Sequence, residues 1–211
     1  MKITDTRLYF ITDSTAYTED EFLYRVERAL MGGVSLVQLR EKEKSTREYM
    51  DLAFKVHKIS ERYSVPLLID DRVDVALAVD AEGVHLGQTD MPVSVARKLI
   101  GDRKIIGATS KTVEQAVLAY AEGADYLGVG AIFPTTTKVK TVITSVETLK
   151  DICDSVPIPV NAIGGLNKNN IEILKSVPIS GICAVSAIMK AEDPYTAVKE
   201  LLMKEEELGI W

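Results

Sequence analysis

Gln38, Arg40 and Lys42 alternate along the stretch Val37–Lys42, which reads V-Q-L-R-E-K. Residues two apart on a strand share a face, so these three polar side chains point one way and Val37, Leu39 and Glu41 the other. A buried strand carries three polar groups on one face of its C-terminal end only where something polar meets them. Two cations and an amide suit an anion, phosphate above all. Asp71 and Asp90 each stand just past another apolar run, P-L-L-I-D-D-R and V-H-L-G-Q-T-D. Taken singly, each reads as a helix cap or a turn residue. Taken as a pair beside Arg40 and Lys42, they suit Mg2+, a hard octahedral cation that prefers oxygen ligands.

Further groups with affinity for anions lie later in the chain. Gly164–Gly165 and Val185–Ser186–Ala187 each follow an apolar run. Glycine lets backbone N–H groups approach phosphate oxygens closely, and a plain turn is the competing reading. Thr135, Thr137 and Lys138, in F-P-T-T-T-K, put hydroxyls and an ammonium on one short loop, which can hold phosphate or simply be solvated. The chain has two histidines. His57 reads as exposed on a helix and His85 as packed within a strand, so neither a histidine metal cluster nor a Ser-His-Asp triad is supported.

These residues need elements to hold them. Short, nearly continuous apolar runs predict strands over Leu8–Thr12, Ser35–Leu39, Pro66–Asp70, Gly83–Leu86, Lys104–Thr109, Tyr126–Gly130, Pro159–Ile163 and Gly181–Val185. Amphipathic stretches predict helices over Glu19–Met31, Ser45–Tyr63, Asp71–Val79, Pro92–Ile100, Thr112–Glu122, Ser145–Ser155, Lys168–Lys175 and Asp193–Leu208. Eight alternating units in a chain of 211 residues fit a compact single-domain (β/α)8 TIM barrel, with an open doubly wound sheet as the alternative. In a barrel the active site lies at the C-terminal strand ends, and that is where Gln38, Arg40, Asp70, Asp71, Asp90, Thr109, Ser110, Lys138, Gly165 and Ser186 gather.

Composition narrows the partners. A net charge of −6 argues against nucleic acid but leaves room for a small phosphorylated ligand. No apolar run is long enough for a membrane span, and Leu8–Ile11 is too short for a signal peptide, so a cytoplasmic protein is expected. Two cysteines, Cys153 and Cys183, read as buried free thiols. Residue logic thus reaches a magnesium-using enzyme with two anionic subsites. It serves either one doubly phosphorylated substrate or two substrates to be joined.

Several motifs resemble one family. They are Q-L-R-E-K at Gln38–Lys42, D-R-V-D at Asp71–Asp74, G-V-H-L-G-Q-T-D-M-P at Gly83–Pro92, G-A-D-Y-L-G-V-G at Gly123–Gly130, F-P-T-T-T-K at Phe133–Lys138, A-I-G-G at Ala162–Gly165 and A-V-S-A-I at Ala184–Ile188. In this order they resemble thiamine phosphate synthase, from about Leu8 to Pro194. The resemblance implies a TIM barrel that joins hydroxymethylpyrimidine diphosphate to a thiazole phosphate, giving thiamine monophosphate and pyrophosphate. It implies Mg2+ on Asp71 and Asp90. Gln38, Arg40, Lys42 and Lys138 would bind the pyrimidine diphosphate, with Arg40, Lys42 and Lys138 as its catalytic cations. Thr135, Thr137, Gly165, Val185 and Ser186 would hold the thiazole phosphate. The implied reaction is dissociative: pyrophosphate leaves, and the thiazole nitrogen attacks a pyrimidine methylene cation.

The chain departs from the family pattern in places. Asp70 stands where the family has Asn, and Thr109 where it has Ser, both among the expected substrate contacts. Lys111 replaces a histidine, and V-K-T-V-I-T-S follows Lys138 in place of an acidic residue and a later glycine. Two rivals remain at this level: a thiazole tautomerase of the same fold, and a non-catalytic binder of phosphorylated metabolites. The Arg-Lys cluster and paired aspartates speak against the tautomerase.

Overall fold

The computed structural model describes residues 5–135 and 142–210 of the chain. Thr137 and Lys138 lie outside the described residues. Eight parallel strands form a closed barrel in chain order, β8 pairing back onto β1. The strands are β1 Leu8–Ile11, β2 Leu36–Leu39, β3 Leu67–Asp70, β4 Gly83–Leu86, β5 Ile105–Ser110, β6 Tyr126–Gly130, β7 Val160–Ile163 and β8 Gly181–Ala184. The helices are α1 Glu19–Gly32, α2 Thr46–Arg62, α3 Val73–Ala78, α4 Val93–Ile100, α5 Val113–Ala121, α6 Val146–Ser155, α7 Ser186–Met189 and α8 Pro194–Leu208. The closed order selects the barrel over the open sheet.

Alternation along each strand divides two apolar layers. Leu8, Phe10, Val37, Leu39, Leu67, Ile69, Val84 and Ile106 face outward and pack with the helices in one large core. Tyr9, Ile11, Leu36, Leu68, Ile105, Tyr126 and Cys183 face inward and fill the barrel. Strands buried on both faces explain why the sequence runs read as almost unbroken apolar stretches. Each such side chain contributes about 1.5–3 kcal/mol by leaving water.

Helix starts follow their capping signals. Ser45 and Glu48 form a reciprocal capping box at α2, and Asp193 accepts from the backbone of Tyr195 and Thr196 ahead of the first-turn Pro194. Four expectations are corrected. The helix expected over Lys168–Lys175 is a single 3-10 turn, Ile171–Leu174. Asn167 and Asn170 side chains bind nearby backbone N–H groups and hold the chain in a turn, and Pro178 leaves little length for a helix. The helix expected from Asp71 begins at Val73, without a side-chain cap from Asp71. His57 is not exposed: its ring lies against the Val79 carbonyl at 3.1 Å and Glu82 Oε1 at 3.3 Å. Cys153 is half-buried, whereas Cys183 is buried as expected.

Candidate active site

Strand register decides which side chains enter the barrel together. Asp70 pairs with His85, His85 with Gly107, and Gly107 with Tyr126, so these positions form one tier across β3, β4, β5 and β6. Gln38 pairs with Ile11 and Leu68 on the same inward face. The phenol of Tyr49, from α2, donates to the carbonyls of Leu39 at 2.7 Å and Asp70 at 3.3 Å. It thereby ties together the two strand ends from which the charged groups emerge.

Those groups meet. Lys42 Nζ lies 2.7 Å from Asp70 Oδ2 and also contacts Asp71 Oδ2. Arg40 Nε is 3.7 Å from the same oxygen of Asp70. The carboxyls of Asp71 and Asp90 lie close enough that each shifts the other's hold on its proton. Arg40, Lys42, Asp70, Asp71 and Asp90 are therefore one cluster, built from the ends of β2, β3 and β4. Glu41 points away from it, toward Ser14 Oγ at 2.8 Å, as strand alternation requires.

Asp71 has left-handed backbone (φ 60°), unusual for a residue that bears a side chain. Its N–H donates to the His85 carbonyl at 2.9 Å, while Arg72 N–H turns back to Asp70 O at 2.7 Å. This turn aims the carboxylate toward Lys42 and Asp90 instead of toward α3. A local departure of this kind at a cluster of charges is characteristic of functional sites.

Electrostatics separates the three carboxyls. Burial pushes Asp70 up to about 6, aided by the neighbouring Asp71 and opposed by Lys42. Burial also acts on Asp71, but the hydrogen bond from Lys42 and the neighbouring Asp90 outweigh it and hold Asp71 below the usual range. Asp90 is raised by burial and by Asp71, although it accepts from the Gly87 N–H at 2.7 Å. Two carboxylates from separate loops, each perturbing the other, form a set of hard oxygen donors. That set fits a divalent cation such as Mg2+, which needs one or two protein carboxylates and takes its other ligands from water and phosphate.

On the far side of the rim, Gly164 and Gly165 both have positive φ (105° and 64°). A β-carbon on Gly165 would come within 2.8 Å of Phe133 Cβ and Pro134 O, so only glycine lets the β6 and β7 loops close together here. Phe133 N–H donates to Gly164 O at 3.0 Å and sews the loops to each other, two residues before Thr135. Asn170 Nδ2 fixes the Gly165 carbonyl at 2.9 Å. Val185 leads into α7, with Ser186 at its first turn and the Val185 carbonyl accepting from Met189 N–H at 2.8 Å. Thr109, on β5, stands between the two regions, and Gln88 Nε2 from the β4 loop donates to its carbonyl at 2.6 Å.

A family model described as thiamine monophosphate synthase matches residues 8–188. The chain belongs to the thiamine monophosphate synthase family. A thiamine-phosphate synthase of Clostridium tetani is 48% identical over 197 residues, covering 93% of this chain and 94% of that protein. Thiamine-phosphate synthase 2 of Streptococcus pneumoniae is 51% identical over 198 residues, covering 94% of each. The solved thiamine phosphate pyrophosphorylase of Pyrococcus furiosus superposes with a TM-score of 0.88 at 41% identity, covering 96% of each chain. A 3-hexulose-6-phosphate synthase with a TM-score of 0.73 at 15% identity shares the barrel alone.

Sequence reasoning passed over Tyr9, Tyr49 and Tyr126, all buried and all hydrogen-bonded around the family's motifs. Their signal was present but faint: Tyr9 and Tyr126 occupy inward positions of β1 and β6, where an aliphatic side chain would fill the barrel without carrying a hydroxyl. His85, read as a packed histidine, is indeed enclosed, and burial lowers it to about 4.

Proposed function

We propose that this protein is a thiamine phosphate synthase, joining hydroxymethylpyrimidine diphosphate to thiazole phosphate with release of pyrophosphate. One observation carries the reading beyond family membership: Lys42 bridges Asp70 and Asp71 while Asp71 lies close to Asp90, beside Arg40, on a single rim. A diphosphate leaving group needs cations close to its oxygens, and this cluster offers them where a hard metal ion can also be held.

In this reading Asp71 and Asp90 would hold Mg2+, which supplies positive charge to the diphosphate when bound. Arg40 and Lys42 bind the diphosphate oxygens and stabilise the charge that grows as the bond to the methylene carbon breaks. Lys138, outside the described residues, is assigned to the same task from its motif, and Thr137 to the thiazole phosphate. Gln38 and Thr109 orient the pyrimidine. Thr135, Gly165, Val185 and Ser186 hold the thiazole phosphate, so that its ring nitrogen faces the carbon being released. No side-chain nucleophile is required: the pyrimidine methylene cation is captured directly by the second substrate.

The test is pyrophosphate release measured with each substrate alone and with both. The expected result is release only with both present, lost on chelation and restored by magnesium. Release that depends on neither thiazole phosphate nor magnesium rejects the synthase reading. Tight binding of either substrate with no release in any mixture would favour a binding protein. Ser186→Ala is expected to raise KM for thiazole phosphate several-fold more than KM for the diphosphate, and the reverse pattern would exchange the subsites.

A further inference from the structure

Beneath the charged cluster, a chain of hydrogen bonds crosses the barrel from β2 to β5. Gln38 Nε2 donates to Tyr9 Oη. The hydroxyls of Tyr9 and Tyr126 are 2.8 Å apart. Tyr126 Oη is 2.8 Å from His85 Nδ1, and His85 Nε2 is 3.0 Å from Thr109 Oγ1. The rings pack as well: Tyr9 meets Tyr126 edge-on at 5.7 Å between centroids, and His85 lies 5.6 Å from Tyr126.

Room has been made for this chain. A β-carbon on Gly107 would fall 2.1 Å from the Tyr126 ring, and one on Gly128 would fall 3.2 Å from His85 Cε1. Two strand positions thus go without side chains beside the rings. An ordinary barrel interior filled by Val, Ile and Leu would need neither glycine.

The order of donors is fixed by burial. An amide nitrogen can only donate, so Tyr9 accepts from Gln38. Tyr9 is fully buried, and among the hydrogen bonds of the described residues its own O–H has one acceptor, the Tyr126 oxygen. A buried hydroxyl left unpaired is costly, so Tyr9 donates to Tyr126 and Tyr126 in turn donates to His85 Nδ1. A neutral imidazole that accepts at Nδ1 carries its hydrogen on Nε2 and gives it to Thr109. Thr109 then accepts from within the protein, and its own O–H is left for a ligand.

We propose that Tyr126 is a positioning residue: by linking Tyr9 to His85 it fixes the order of hydrogen bonds from Gln38 to Thr109, so that Thr109 meets the pyrimidine diphosphate as a hydrogen-bond donor. The proposal rests on the synthase reading of the rim. It extends that reading to a side chain that touches no substrate.

Two measurements test it. The first is the ring-nitrogen NMR spectrum of 15N-histidine protein without substrate, in a His57→Gln background that leaves one histidine signal. The expected state is hydrogen on Nε2 and a bare, accepting Nδ1; hydrogen on Nδ1 overturns the proposal. The second is a double-mutant cycle in kcat/KM with the pyrimidine diphosphate varied. Tyr126→Phe and Thr109→Val are each expected to lower it about tenfold, the scale of one neutral hydrogen bond. If Tyr126 acts through Thr109, the double variant is no worse than Thr109→Val alone. Additive losses, or a wild-type rate in Tyr126→Phe, overturn the proposal. A wild-type protein with no coupling activity sinks the functional reading instead, and the ring-nitrogen spectrum then judges the hydrogen-bond order by itself.

Discussion

Asp70, Asp71 and Asp90 are chemically alike and electrostatically unlike. Asp71 is held ionised by Lys42, while burial raises Asp70 and the neighbouring Asp71 adds to the burial of Asp90. Removing a group that stabilises developing charge typically lowers kcat by about 10²–10³-fold. Asp71→Ala and Asp90→Ala are expected to lose activity on that scale while unfolding near the wild-type temperature. Full rates in both, measured by pyrophosphate release, would remove the metal assignment. Asp70→Asn, which installs the residue implied by the family resemblance, is expected to keep activity, because the amide oxygen can still accept from Lys42 and the Asp71–Asp90 pair keeps its charge. A folded but inactive Asp70→Asn protein would make Asp70 itself essential here. The types and spacing of these residues were legible in the sequence because strand ends at a barrel rim are the one place where a buried run turns polar. Their pairing was not: that Asp71 turns away from α3 depends on a left-handed backbone torsion, which no spacing encodes.

The elements were legible wherever one physical signal dominated. Apolar runs buried on both faces gave all eight strands to within a residue or so at each end, and Ser45 and Asp193 marked their helices. The segment after β7 misled, because helical spacing of apolar residues competes there with asparagine side chains that bind the backbone. The inward layer was the least legible part. Tyr126 is sterically possible only because β5 carries Gly107 opposite it, a pairing visible only after register is known. Gly107→Ala is therefore expected to destabilise the fold by about 1–3 kcal/mol, the usual range for overpacking a filled interior. It should also lower coupling activity, because the Tyr126 ring must move. An unchanged denaturation midpoint would show that the ring has room to spare.

At the scale of the molecule, one ionisable group outside the rim affects the whole fold. Glu205 of α8 is fully buried with neither carboxyl oxygen hydrogen-bonded among the described residues, and desolvation raises it from the ordinary 4.5 to about 8, against the opposing pull of the Arg7 charge. The folded state therefore holds this proton more tightly than the unfolded chain does. Its contribution to stability is complete below about pH 4.5 and is lost as pH rises through about 8. Glu205→Gln keeps the neutral form at every pH. The variant is expected to melt near the wild type at about pH 5 and above it at about pH 9. Parallel melting curves across that range would show that the carboxyl is ionised, and stabilised, in the native protein.

Tyr9, Leu36, Leu68, Ile105 and Tyr126, none of them reached by solvent, stopper the cylinder below its rim. A barrel plugged in this way lets nothing pass from the rim through to its far end. In the proposed coupling both reactants would therefore arrive, and both products depart, on the rim side of that plug.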